Sequence, residues 1–486
     1  MTWVEVLLVL PWGKQSRLLV NSMGHDTDIS STSLISYRLG EWVANLRYED
    51  LPRKVVHEVR RYWLDSIGCA FGGWRTPDWQ TVRDLTIQEG GVRKCNLLGA
   101  GGKVAPLQAA MLNSLAIRAL DYNDIYWQQD PCHPSDCIPA PLAAAETVGA
   151  GGKDLILGTV VAYEIQQRLC EASFPGIREL GWHHATLTSF ASAYAAGKAL
   201  GLDAGALQNA AGIAGSANCT LGAVTAGHLT MMKNTVSPMA CRGGLEAAFL
   251  AARGYSGPAH VFEGKESLAD VMDSEWRWEI FDDLGSDWRI LKCGMKFFPT
   301  EALTHAPIST TISICSENGL SADDVREVRI RTLTKAADIL SDPAKYRPTS
   351  RESADHSLPY CITMGLLHGR VTPELFENEV VRDPVVLEHI DKIKVAAEPA
   401  FEEAFPKVQR CHVEVDTSDG RTLAKQVDWP KGDPRDPLSN EEIRAKFDAL
   451  AEGVSDERRE RIWKSATRLA SYKRAAGFSR LCAVDE

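Results

Sequence analysis

The sequence predicts a mainly α-helical protein, with a large all-helical domain interrupted by a smaller α+β lid domain. Three observations predict it. Residues 33–290 place apolar residues at three- and four-residue steps and carry several Ala/Gly-rich stretches, the pattern of tightly packed helices. Near residue 290 the character shifts to period-two alternation, the pattern of strands with one buried face. A stiff polar linker, Trp429 to Pro437, then leads into capped helices that can return to the helical domain. The expected boundaries are an N-terminal extension over 1–32, the helical domain over 33–290, the lid over 291–430 and the returning C-terminal helices over 431–486.

The N-terminus is apolar in patches, Val4 and Val6 to Leu10, but Glu5 and Pro11 break it. It has no basic leading region, so it matches a secretory signal poorly. Lys14 and Arg17 leave a mitochondrial presequence open, and Met23 is an alternative start. Further on, Val55, Val56, Val59, Trp63, Ile67, Ala70 and Phe71 fall on one helical face. Thr186 to Leu202, Ala206 to Ala217 and Gly244 to Ala252 are rich in small residues that let helices approach closely. No fixed-period repeat marks a solenoid. Val328 to Thr332 and Ile393 to Val395 read as strands. Cys411 to Asp416, a Ser418-Asp-Gly420 turn and Thr422 to Val427 read as a hairpin. Ser357 to Leu367 reads as a buried helix. Ser439-Asn-Glu-Glu442 fits a capping box opening the helix Glu441 to Ala451, and a last helix is expected over Asp456 to Arg474.

Of 486 residues, 44% are hydrophobic and 24% charged, which is ordinary for a globular protein. The net charge of −11 argues against nucleic acid or an anionic membrane as partner, because each favours a basic face. It does not oppose an anionic small substrate held in a local pocket. No apolar run reaches the length of a membrane span. The twelve cysteines are scattered from Cys69 to Cys482 without any CxxC pair. They read as reduced core thiols of an intracellular protein, cytoplasmic or mitochondrial, and argue against an iron–sulfur cluster.

The most informative stretch is Leu120 to Asp136. It gathers Asp121, Asp124, Asp130 and Asp136 around His133. Pro134 disfavours helix at the residue before it, so His133 is expected on a bend, where a titratable ring suits proton transfer. A polar surface loop is the plain alternative. Gly181-Trp-His-His sets His183 and His184 just before the Ala-rich helix, whose N-terminus favours anions. A histidine that merely caps that helix is the alternative there. Cys132, His133, Cys137, His183 and His184 are soft enough to bind zinc, but their spacing fits no closed zinc motif, and no metal is expected. Lys233 and Lys296 each lie among apolar residues. They either bind carboxylates or snorkel to water. Tyr360 offers a hydroxyl to a substrate, or is a core aromatic.

Taken together, these segments resemble the MmgE/PrpD family of 2-methylcitrate dehydratases and cis-aconitate decarboxylases. The resemblance runs from about residue 35 to 475. Its markers are Leu120-Asp-Tyr-Asn-Asp with His133-Pro-Ser-Asp, Gly181-Trp-His-His, Lys233 ahead of Ala240, Lys296-Phe-Phe-Pro with Thr304-His-Ala, and Ser357-Leu-Pro-Tyr360. It implies a helical domain completed by the C-terminus, an α+β lid, a homodimer and no cofactor. The implied pocket comprises Asp121, His133, His183, Lys233, Lys296 and Tyr360, with His184 competing for the place of His183. Ile125 departs from the threonine usual there and makes the pocket more apolar. The spacing from Asp121 to His133 is more like the dehydratase branch.

The implied reaction is dehydration of a tricarboxylate, 2-methylcitrate or a longer 2-alkylcitrate, to a cis-aconitate-type alkene, possible in fungal secondary metabolism. Lys233 and Lys296 would stabilise carboxylate charge, His133 and His183 would form the base and acid in either order, Asp121 would orient His133, and Tyr360, His184 and Ile125 would contact substrate. Met231 and Met232 beside Lys233, like Ile125, favour a longer alkyl chain. Decarboxylation of cis-aconitate to itaconate in the same pocket is one alternative. An inactive carboxylate-binding scaffold is the other.

Overall fold

The computed structural model describes residues 32–226 and 229–484. The N-terminal extension before residue 32, with its open presequence and the Met23 start, lies outside the described residues. The protein is mainly α-helical, with small sheets. Among the described residues no helix is long and apolar enough to cross a membrane.

Helices form where the apolar steps predict them. Arg53–Gly73 is one helix, and all seven residues of its predicted face are buried. The Ala-rich segment is the helix Ala185–Leu200, ended by Gly201 at φ +72°. That left-handed turn is free of strain for glycine alone. This helix packs between Gly152–Ala172 and Met232–Ala251. A Cβ on Gly244 would meet the Ser189 carbonyl oxygen at 2.5 Å, so small residues do set the helix spacing.

Burial separates into two large apolar clusters. One draws on residues 35–295 and 438–482; the other draws on 298–415 together with Trp127. In the second, four strands lie in the order Thr422–Val427, Cys411–Thr417, Val325–Thr332, Ile393–Ala397. The first two pairings are antiparallel and the last is parallel, with Val413 opposite Lys425 and Ile330, and Ile330 opposite Val395. Helices His305–Asn318 and Leu358–His368 pack on this sheet.

The capping box forms as predicted. Ser439 Oγ accepts from the Glu442 N–H at 3.1 Å, and the Glu442 carboxylate accepts from the Ser439 N–H at 2.7 Å. The helix it opens, Asn440–Leu450, packs on Arg53–Gly73. Its buried Lys446 ammonium donates to Asp65 at 2.6 Å and to the Lys296 carbonyl at 3.0 Å. The C-terminal helix is thereby tied to the segment that carries a candidate site lysine. The helix expected over Asp456 to Arg474 is shorter, Asp456–Thr467, and a short helix Ala475–Ser479 follows it. Leu469 turns into the core there, and the Tyr472 carbonyl accepts from the Gly152 N–H at 2.8 Å.

A three-stranded antiparallel ribbon lies within the helical body: Pro131–Cys132, Asp124–Trp127 and Gly294–Met295. Tyr126 pairs with Cys132 and Asp124 with Met295. Strands of two to four residues are too short for alternation to show in the sequence. The ribbon nevertheless brings Asp121, His133 and Lys296 to one place, because each stands at or near a strand end.

Candidate active site

The Asp-Tyr-Asn-Asp and His-Pro-Ser-Asp segments lock into each other. The Asp124 carboxylate accepts from the Ser135 N–H at 3.0 Å and its hydroxyl at 2.6 Å. The Asn123 amide donates to Ser135 Oγ at 2.8 Å and to the Asp136 carboxylate at 3.0 Å. Pro134–Asp136 forms a single 3-10 turn, with proline at its first position. His133 sits at the junction of strand and turn, buried, with Nδ1 2.6 Å from the Asp124 backbone carbonyl. A carbonyl only accepts, so Nδ1 carries the proton and Nε2 is bare. The Asp124 backbone, not Asp121, therefore orients His133. Burial first, then the Arg118 and Lys296 cations, push its ring well below the usual imidazole range, so it stays neutral.

Asp121 is instead the centre of a buried ion-pair knot. Its carboxylate lies 2.6 Å from Arg118 Nη1, 2.8 Å from Lys296 Nζ and 3.4 Å from Lys233 Nζ. Burial opposes its charge, but Arg118, Lys296 and Lys233 together outweigh burial and hold the carboxyl well below its usual range. Asp121 adopts φ +49°, a left-handed backbone that aspartate tolerates better than most residues. Lys296 also donates to the Asp121 and Thr300 carbonyls at 3.1 and 2.8 Å. Lys233 reaches Asp355 at 2.9 Å, and Asp355 takes His356 Nδ1 at 2.6 Å. Both lysines are buried to the ammonium and neither snorkels. Asp121, Asp355 and His356 come within 4.8 Å of one another, a spacing a divalent ion can bridge. The Lys233 ammonium already supplies positive charge between the two carboxylates.

His183 and His184 stand at the start of the helix Ala185–Leu200. His183 Nδ1 accepts from the Ala185 N–H at 3.1 Å, so Nε2 carries the proton. The Thr186, Leu187 and Thr188 N–H groups are taken by the His183 and His184 carbonyls. The helix N-terminus is thus already capped and offers no free N–H cradle for an anion. Burial first, then Arg178 and Arg118, push His183 down to about 3. His184 is buried and neither ring nitrogen has a partner. Its ring centroid lies 4.0 Å from that of His183 and 5.6 Å from that of His133.

These groups line one cavity of about 390 Å³, within the range of small-molecule sites. His133, His183, His184, Asp121, Lys233, Lys296 and Ile125 all line it. The sequence reading missed Arg118, Arg178, His356, Lys335 and Lys345, which line it as well. Arg118, Arg178 and His356 flank markers the sequence displays: three residues before Asp121, five before His183 and one before Ser357. Six cations (Arg118, Arg178, Lys233, Lys296, Lys335, Lys345) face four carboxylates (Asp121, Glu301, Asp338, Asp342). The cavity is locally positive in a chain of net charge −11, which suits a polyanion.

Two further expectations are corrected. Tyr360 does not reach the cavity: it is fully buried in the second apolar cluster, against Phe376, with its hydroxyl on the Leu375 carbonyl. Met231 and Met232 are 52% and 42% exposed and do not line the site, whereas Lys233 beside them does. The thiols weighed for zinc do not join the three histidines at the cavity. Cys137, for instance, donates to the Gln166 side-chain carbonyl at 3.4 Å.

Residues 37–280 match the model of the MmgE/PrpD N-terminal domain, and residues 298–470 match that of the MmgE/PrpD C-terminal domain. A cis-aconitate decarboxylase of Aspergillus terreus is 26% identical over 455 residues, covering 89% of this chain and 92% of that protein. The cis-aconitate decarboxylase of Homo sapiens is 27% identical, covering 84% and 86%. A 2-methylcitrate dehydratase of Salmonella typhi is 26% identical over 379 residues, covering 73% and 76%.

Proposed function

The chain belongs to the MmgE/PrpD family, and from that premise we propose that it is a lyase acting on a citrate- or aconitate-type tricarboxylate, dehydrating a 2-alkylcitrate. The observation that carries the reading is the bare His133 Nε2 in the same cavity as Lys233, Lys296 and Arg118. Removing a proton from carbon beside a carboxylate builds charge on that carboxylate. Fixed cations stabilise the charge, and a neutral imidazole with a free nitrogen takes the proton. The tautomers support one division of these roles: His133 accepts, and His183 donates a hydrogen bond from Nε2 to a substrate oxygen. His184, with both nitrogens free, adds a further contact. Asp121 holds the two lysines in place through its ion pairs.

The alkyl group has room. Ile125, Trp127 and Ala302 line both the main cavity and a second one of about 230 Å³, so Ile125 lies on the wall between them. This supports a substrate with more than a methyl branch. The two apolar clusters support the division into a helical body, an inserted α+β unit over 291–430 and a returning C-terminus.

A second reading, decarboxylation of a cis-aconitate-type acid, is favoured by the coverage of relatives. Those named cis-aconitate decarboxylase cover 84–89% of this chain, and those named 2-methylcitrate dehydratase 73–78%. Incubation with 2-methylcitrate, longer 2-alkylcitrates and cis-aconitate separates the two. Alkene absorbance from an alkylcitrate supports dehydration. Carbon dioxide release from cis-aconitate, with no alkene absorbance arising from the alkylcitrates, supports decarboxylation. No reaction with any of them leaves the scaffold.

A further inference from the structure

His356, paired with Asp355, has no role in the chemistry above, yet it lines the same cavity. It comes from the other apolar cluster's part of the chain, just ahead of the helix Leu358–His368, whereas the other three cavity histidines come from the helical body. His356 Nδ1 lies 2.6 Å from Asp355 Oδ1. A carboxylate only accepts, so the ring donates from Nδ1 and leaves Nε2 to exchange a proton. Asp355 is itself fixed. Its other oxygen takes Lys233 Nζ at 2.9 Å, and its backbone carbonyl takes the Glu301 N–H at 2.9 Å.

The partners of the four rings differ in kind. His133 rests on a neutral carbonyl, His183 on a backbone N–H, and His184 on nothing. His356 alone of the four has a carboxylate within hydrogen-bond distance, and a carboxylate is what stabilises an imidazolium. A departing hydroxide needs an imidazolium, because a neutral ring that gives up its N–H becomes an unstable imidazolate.

We propose that His356, oriented by Asp355, is the acid that protonates the leaving hydroxyl. The step rests on the dehydration reading. The carbon-bound proton passes to His133 Nε2, and the freed electron pair forms the double bond. The carbon–oxygen bond breaks, and the oxygen takes the His356 Nε2 proton and leaves as water. His133 then releases its proton to solvent and His356 regains one. In the empty cavity burial first, and Lys233 next, push His356 down to about 4. The ring charges when the carboxylates of a substrate bring negative charge beside it.

The test uses the full-length protein and two substrates: the 2-alkylcitrate, from 2-methylcitrate to longer chains, that the wild type turns over fastest, and its analogue with fluorine in place of the leaving hydroxyl. Fluoride departs without a proton. His356→Gln is expected to lose about 100- to 10,000-fold in kcat on the hydroxyl substrate and to keep near wild-type turnover of the fluoro analogue. His133→Gln is expected to lose both. His356→Asn should repeat the His356→Gln pattern, which guards against one variant failing to fold. Unchanged turnover of the hydroxyl substrate, or equal loss on both substrates in both variants, overturns the assignment alone. A wild-type protein inactive on both substrates overturns the dehydration reading and the acid with it.

Discussion

His133 Nδ1 lies 2.6 Å from the backbone carbonyl of Asp124, while the Asp124 carboxylate holds the Ser135 N–H and hydroxyl. One residue thus sets both the tautomer of the ring and the turn that follows it. Asp124→Ala would leave two Ser135 donors buried and unpaired. A loss of about 1–3 kcal/mol is expected in urea unfolding, together with a lower kcat as the turn that follows His133 loosens. Unchanged stability would mean that the turn stands without Asp124.

The Asp121 knot makes a larger prediction. Asp121→Ala would leave Arg118, Lys233 and Lys296 buried with one carboxylate fewer. Breaking a buried pair in this way costs about 3–5 kcal/mol. Chemical denaturation measures it, and a shift well under 1 kcal/mol would show that the cations reach solvent or other anions.

Lys296→Met removes a positive charge from the cavity while keeping much of the side-chain volume. If the lysine stabilises charge formed in the transition state, kcat falls about 100-fold or more with a smaller change in KM. A rise in KM alone would make Lys296 a binding residue only.

Buried neutral histidines tie stability to pH. His183 titrates near 3 in the folded protein and near 6.5 when unfolded. Its folded value is depressed, so below pH 6.5 the unfolded chain binds the extra proton and stability falls with pH. His183→Gln should escape this. Between pH 7 and pH 5 the wild type should lose about 2 kcal/mol more stability than the variant. Parallel pH curves would place His183 in contact with water.

Ile125 reads out the alkyl group. Ile125→Ala opens the wall toward the second cavity, and should raise kcat/KM for long-chain relative to methyl substrates by about tenfold. An unchanged ratio would put the alkyl chain elsewhere.

The helices and the four-stranded sheet were legible because their periodicity runs over many residues. The bend at His133 was legible because Pro134 restricts its neighbour. The ribbon was not legible, since strands such as Pro131–Cys132 are too short to alternate. The ion-pair knot joins residues far apart in sequence, Asp121 to Lys296 and Lys233 to Asp355. The types of those residues were informative but their pairing was not. Tyr360 stood in the right motif, but its hydroxyl found a backbone carbonyl in the core, a choice that only packing makes. The split between His133 and His183 rested on which ring nitrogen meets a backbone group, and no sequence pattern encodes that.

The central claim is that His133 Nε2 takes the carbon-bound proton. The most direct measurement is kcat on 2-methylcitrate, or on the 2-alkylcitrate that the wild type turns over fastest, for wild type and His133→Ala, with folding checked by circular dichroism. The predicted result is a folded variant slower by about 100- to 10,000-fold. A folded variant that turns over at close to the wild-type rate would contradict the account.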